Sequence, residues 1–170
     1  MSNSTSSLIT QEEQSAKHRK QDKKPCILVL WAEQFDAVAV TSLIAEVRSA
    51  GIATYIVGLR CQRVAGEYGL AIYPDMLLDE ALSIADRVSH IVIPCGAAGF
   101  QKLEIEPRVS RLLQQTVQNQ ARLILPHANV FDLEKVGVPI DEPRQIITYT
   151  DKQELMQSIC YPNVRLQTHS

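Results

Sequence analysis

The stretch CILVLWAEQFDAVAVTSLIAEVRSAGIATYIVGL, Cys26 to Leu59, decides the fold. Its opening residues, Cys26 to Trp31, are apolar without a break and follow Pro25, which reads as a buried strand. Phe35 to Ala50 then carries Val38, Leu43, Ile44 and Val47 as a helical stripe, with Gly51 as a natural C-cap. Ile52 to Leu59 is β-branched and aromatic, a second strand. Strand, helix, strand in short order is the unit from which right-handed parallel crossovers are built.

The same alternation continues outward. Arg60 to Gly69 is polar, and Leu70-Ala71-Ile72 reads as a short excursion strand closed by Pro74-Asp75. Leu77 to Ala85 is helical and His90 to Pro94 is a third buried strand, opened by His90 at the opposite edge of the sheet. Cys95 to Gly99 is a small-residue turn, followed by a helix from Pro107, well placed as a first helical residue, to Asn119. Leu123 to Leu125 is a fourth strand, Val130 to Val136 a short helix stopped by Gly137, and Gln145 to Tyr149 a fifth strand. Asp151 to Ile159 is the last helix, Asp151 and Glu154 being spaced as a variant capping box. The class is α/β, with a mainly parallel sheet covered by helices on both faces. Ligands of such sheets bind past the carboxyl ends of the strands, where strand order reverses. Three loops are therefore expected to converge: Ala32 to Asp36, Cys95 to Gly99, and Pro126 to Asn129.

With 170 residues and 45% hydrophobic content, the chain is long enough to bury one core. A net charge of −2 and few aromatics argue against a nucleic-acid partner, and no apolar run is long enough for a membrane span. Residues 1–24 read as a disordered tail with a basic patch at Lys17-His18-Arg19-Lys20 and Lys23-Lys24. The domain is expected over 25–160, with a second tail over 161–170. Cys26, Cys61, Cys95 and Cys160 form no C-x-x-C pair, and without a signal peptide they read as reduced thiols of a cytoplasmic protein. Cys26 is most simply a core residue. His127 has no second His beside it in sequence, so neither a metal site nor a cofactor is expected.

Several segments together resemble the ThiJ/PfpI family, the class I glutamine-amidotransferase-like group that includes the parkinsonism-associated deglycase. They are Ala32-Glu33-Gln34-Phe35-Asp36, Arg48-Ser49-Ala50-Gly51-Ile52 running to Val57-Gly58-Leu59, Pro74-Asp75 with Leu78-Asp79-Glu80-Ala81, and Pro94-Cys95-Gly96-Ala97-Ala98-Gly99-Phe100-Gln101. The last is similar to the family's P-G-G-x-x-G turn. The resemblance implies a flavodoxin-like three-layer α/β/α sandwich, a pocket acid after the first strand, a cysteine nucleophile on a strand-to-helix elbow and an oxyanion site on the P-G-G turn. It also implies a habit of dimerising and a part in stress responses.

This sequence departs from that pattern. Cys95 replaces the first glycine of the turn, and Asp36 stands for the pocket acid, with Glu33 as the other candidate. The elbow falls on His127 or Ala128, and neither is a cysteine. The family's final S-R-G-P block is reduced to Ile146-Ile147-Thr148-Tyr149 before Thr150-Asp151.

The candidate catalytic residues are thus Cys95, His127 and Asp36, and the candidate pocket residues Glu33, Gly96, Ala97, Gly99, Ala128 and Asn129. Each has a plainer reading. Cys95 is either a thiolate, its pKa lowered by His127 or a helix N-terminus, or a small packed residue. His127 is a general base, a ligand contact, or an imidazole bonded to backbone. Asp36 is a pocket acid or a helix cap. Gly96 and Gly99 are expected where the turn needs positive φ or no Cβ. The first expectation for function is a pseudoenzyme that binds a small metabolite or acts through assembly, including a homodimer. The competing one is a Cys95-dependent enzyme or redox sensor acting on reactive carbonyls or peroxide.

Overall fold

The structure is a computed structural model, and it describes residues 24–32, 35–60, 63–65, 69–138 and 145–160. Both expected tails, apart from Lys24, lie outside the described residues, as do Glu33 and Cys61.

Among the described residues, six parallel strands form the main sheet: β1 (Cys26–Trp31), β2 (Ala53–Gly58), β5 (Met76–Leu77), β6 (Val88–Val92), β7 (Arg122–Pro126) and β8 (Ile146–Tyr149). Their order is β5-β2-β1-β6-β7-β8. A separate antiparallel pair, β3 (Val64–Ala65) with β4 (Ala71–Ile72), is the excursion expected before Pro74. The helices are α1 (Ala37–Ser49), α2 (Leu78–Ser83), α3 (Ala97–Glu104), α4 (Pro107–Gln118) and α5 (Lys152–Cys160), with 3₁₀ turns at Ala85–Arg87, His127–Asp132 and Glu134–Val136.

β1 shows why the chain folds in three layers. All six of its residues are buried, and they alternate between two cores. Cys26, Leu28 and Leu30 meet Leu78 of α2, Phe100 and Leu103 of α3, and Leu112 of α4. Ile27, Val29 and Trp31 meet Val40, Leu43 and Val47 of α1, and Leu155 and Ile159 of α5. A strand whose period of two faces apolar surface on both sides must be covered on both sides. The flavodoxin-like α/β/α sandwich is the result. Among the described residues, no helix is long and apolar enough to cross a membrane.

Four local expectations are corrected. Val38 is not part of the buried stripe of α1: it is 57% exposed, and Ala37, Ala39 and Val40 turn inward instead. The third strand begins at Val88, two residues before His90, and lies inside the sheet between β1 and β7. His90 there pairs with Arg122, at the end of β7 away from His127. The Cys95–Gly99 turn is shorter than expected, because α3 starts at Ala97 and Gly99 is a buried helical residue. Gly96 has φ −71°, and a Cβ on it would meet nothing within 4 Å, so neither backbone strain nor crowding demands glycine there. Small residues read as a turn masked a helix whose Phe100 and Leu103 anchor it by burial rather than propensity.

Two further boundaries differ: Met76–Leu77 forms strand β5 where a helix was expected from Leu77, and the helix expected over Val130 to Val136 is two 3₁₀ turns, His127–Asp132 and Glu134–Val136. The cues at Gly51, Gly137 and Asp151 hold. Gly51 adopts φ +78° beyond α1 and Gly137 φ +74° after the last 3₁₀ turn. Asp151 Oδ1 accepts from Glu154 N at 2.9 Å while Glu154 Oε2 accepts from Thr150 N at 2.8 Å, a capping box displaced by one residue.

Candidate functional site

Strand order reverses between β1 and β6, so the crevice at their carboxyl ends is where this architecture places a site. The loop after β1 and the loop after β6 are stitched together there by a bridge between Phe35 and Cys95. Phe35 is fully buried, and its ring lies against that of Trp31 at a tilt of 52°. From the third loop, Asn129 Nδ2 donates to Cys95 O at 2.6 Å. Asn129 is itself 1% exposed. The three loops therefore converge, and they do so on the backbone of Cys95.

The Cys95 thiol is fully buried, and burial pushes its pKa up to about 12. A hydrogen bond from backbone works the other way but does not offset that desolvation, which favours the neutral thiol. Cys26 is likewise buried with its thiol pushed up by desolvation, although Arg87 works the other way.

β7 ends at Pro126 and a 3₁₀ turn begins at His127, so the strand-to-helix elbow is present and His127 is its first residue. Both His127 and Ala128 are exposed. His127 Nδ1 lies 3.4 Å from Thr148 Oγ1 on the neighbouring strand. No hydrogen bond joins His127 to Cys95 among the described residues.

Asp36 is the N-cap of α1. Its Oδ1 accepts from Ala39 N at 2.9 Å, the geometry by which a short acid satisfies the free amides of a first turn. The carboxylate is exposed, with Oδ2 outside that bond. Gly96 is the N-cap of α3 and contributes no side-chain cap, and Ala97 is the helix's first residue. Both are exposed.

One residue of this cluster carries no cue in the sequence. Tyr149, the last residue of β8, is 8% exposed, and its phenol is pushed well above its usual pKa by burial and then by its neighbours Cys95 and Asp36. An isolated Tyr at the end of a β-branched run reads as core. Only the pairing of β8 with β7, which sets Tyr149 opposite Pro126, brings it to the loops. Among the described residues, no cluster of three or more His, Cys, Asp and Glu could hold a metal ion.

A family model matches residues 25–125, well over half of the chain. The chain belongs to the DJ-1/PfpI family. No curated protein matches it. Among solved structures it is similar to Drosophila melanogaster DJ-1beta, with a TM-score of 0.60 and 22% identity over 75% of each chain. It is similar also to Schizosaccharomyces pombe DJ-1, with a TM-score of 0.65 and 13% identity over 83% of this chain and 93% of that one. A two-domain protein from Anabaena variabilis, containing DJ-1/ThiJ/PfpI-like and ferritin-like domains, matches with a TM-score of 0.56 and 21% identity over 66% of this chain. This chain spans only 31% of that protein's length. Identities this low carry the DJ-1/PfpI fold and leave chemistry to be argued from the residues.

Proposed function

We propose that this chain is a non-catalytic member of the DJ-1/PfpI family, acting by holding a small metabolite in its loop cluster or through protein assembly. One observation carries the reading. The elbow bears His127 and Ala128 in place of a nucleophile, while the thiol of Cys95, whose backbone Asn129 and Phe35 hold, lies buried and protonated. A thiol attacks as thiolate and needs access to its substrate, and Cys95 has neither. Asp36, the residue matched to the pocket acid, caps a helix.

The test compares wild type with Cys95→Ser in methylglyoxal consumption and in reaction with hydrogen peroxide. The two proteins are expected to behave alike, at the level of the buffer control. Turnover that disappears in Cys95→Ser would overturn the reading in favour of a Cys95-dependent enzyme or sensor.

A further inference from the structure

β2 runs from Ala53 to Gly58, yet among the described residues β5 pairs only with its last two, Val57 and Gly58. The first part of its outer edge is closed by side chains instead. Asp75, just ahead of β5, donates its N–H to Ile56 O at 2.9 Å and accepts from Ile56 N through Oδ2 at 2.8 Å. Arg48, in the last turn of α1, reaches the same edge. Its Nε and Nη2 both donate to Thr54 O, at 3.2 and 2.9 Å, and Nη2 also meets Asp75 Oδ2 at 2.6 Å. The planar fork of a guanidinium serves two acceptors at once in this way.

Without those side chains the edge would suit another strand. Ala53-Thr54-Tyr55-Ile56-Val57-Gly58 has no charge and no proline and is rich in β-branched and aromatic residues, the composition of segments that pair with copies of themselves. Beside it lies an open cavity of about 770 Å³, whose lining includes Ile52, Tyr55, Met76 and Ile84, with room for the side chains of an added strand. A carbonyl oxygen offers two lone pairs, and on Thr54 the two Arg48 donors take them. The occupant that fits this edge is the same edge of a second copy. Run antiparallel about a two-fold axis it is its own complement, and Ile52 to Gly58 brings no charge to the contact.

We propose that Arg48 is a latch that keeps the edge of β2 from pairing with the β2 edge of a second copy. None of the residues involved belongs to the loop cluster, so the inference goes beyond the reading above and is decided separately from Cys95-dependent turnover. The test is sedimentation equilibrium of the full chain over a range of concentrations, comparing wild type, Arg48→Ala and Arg48→Ala/Ile52→Lys. Arg48 is an exposed helical residue and alanine is the strongest helix former, so far-UV circular dichroism and Trp31 fluorescence should match wild type. Arg48→Met keeps the aliphatic stem and loses the donors, and replaces the alanine variant in the comparison if that one loses the native signal. Arg48→Ala should self-associate about tenfold or more tighter than wild type, the scale of the hydrogen bonds released. Ile52, 38% exposed beside the start of β2, accepts a lysine at the surface, and a charge there should return the association to the wild-type level. A mass equal to that of wild type at every concentration would overturn the proposal. So would self-association that Ile52→Lys leaves intact, since the contact would then lie elsewhere on the molecule.

Discussion

Asn129 Nδ2 donates to the main-chain oxygen of Cys95 at 2.6 Å, joining positions 34 residues apart in the chain. Both residues are buried, so the bond forms away from competing water. Removing it leaves a buried carbonyl unsatisfied, which costs more than an average hydrogen bond contributes. Asn129→Ala is expected to lose about 1–3 kcal/mol of stability. Urea denaturation followed by the fluorescence of Trp31, the chain's single tryptophan, measures it. A loss no larger than that of an exposed-site control such as Ala128→Gly would show that the bond does not fasten the loops.

Cys95 should resist alkylation. Burial raises its folded-state pKa to about 12 from the ordinary value of 9.0. Such a group contributes stability that is fully present below the unfolded value and is lost as pH rises through the window from 9.0 to about 12. Iodoacetamide at neutral pH should label Cys95 no faster than Cys26. Cys95→Ala should flatten the decline of the urea midpoint on the alkaline side of pH 9, and an unchanged slope would remove Cys95 as its cause.

His90 works on the acid side. Burial, and then the charge of Arg122 opposite it, lowers its pKa below the ordinary value of 6.5. Among the described residues its buried Nε2 has no partner, and its Nδ1 lies 3.1 Å from Ser89 Oγ. A histidine depressed in the folded state contributes stability that is present above the unfolded value and is lost as pH falls from 6.5 toward the folded value. The urea midpoint should fall on acidification below pH 6.5, and less steeply in His90→Gln. Equal slopes in the two proteins would count against this origin.

Asp36 can be tested as a cap without reference to any ligand. Asp36→Ala should cost about 0.5–2 kcal/mol, whereas Asp36→Asn should be close to wild type, since either side-chain oxygen receives Ala39 N–H. Thermal unfolding by circular dichroism distinguishes the two. Equal losses in both variants would mean that the charge, and not the cap, is what α1 requires.

The layers of the fold were readable because burial leaves a periodic mark. β1 is apolar on both faces, α1 repeats Leu43, Ile44 and Val47 toward one side, and Gly51 and Gly137 stand where left-handed backbone is needed. The misreadings have local causes. Ala97-Ala98-Gly99 has the composition of a turn, and only Phe100 and Leu103 docking into the core make it a helix. Val38 lies next to buried Ala37 and Ala39, where small residues rather than large ones face inward.

At the site, the sequence by itself determined that the elbow lacks cysteine, and it confined the candidates to three loops, because a parallel sheet aims those loops at one end. It left Asp36 open between acid and cap, and Cys95 open between nucleophile and core. Tertiary structure decided how these side chains stand. Asp36 meets Ala39 N–H, Cys95 is buried with its backbone held by Asn129 and Phe35, and Tyr149 of β8 lies opposite Pro126. Residue type sets what a side chain is able to do, but its charge state and its partners depend on desolvation and on neighbours far away in the chain. Those neighbours exist only once the strands have paired.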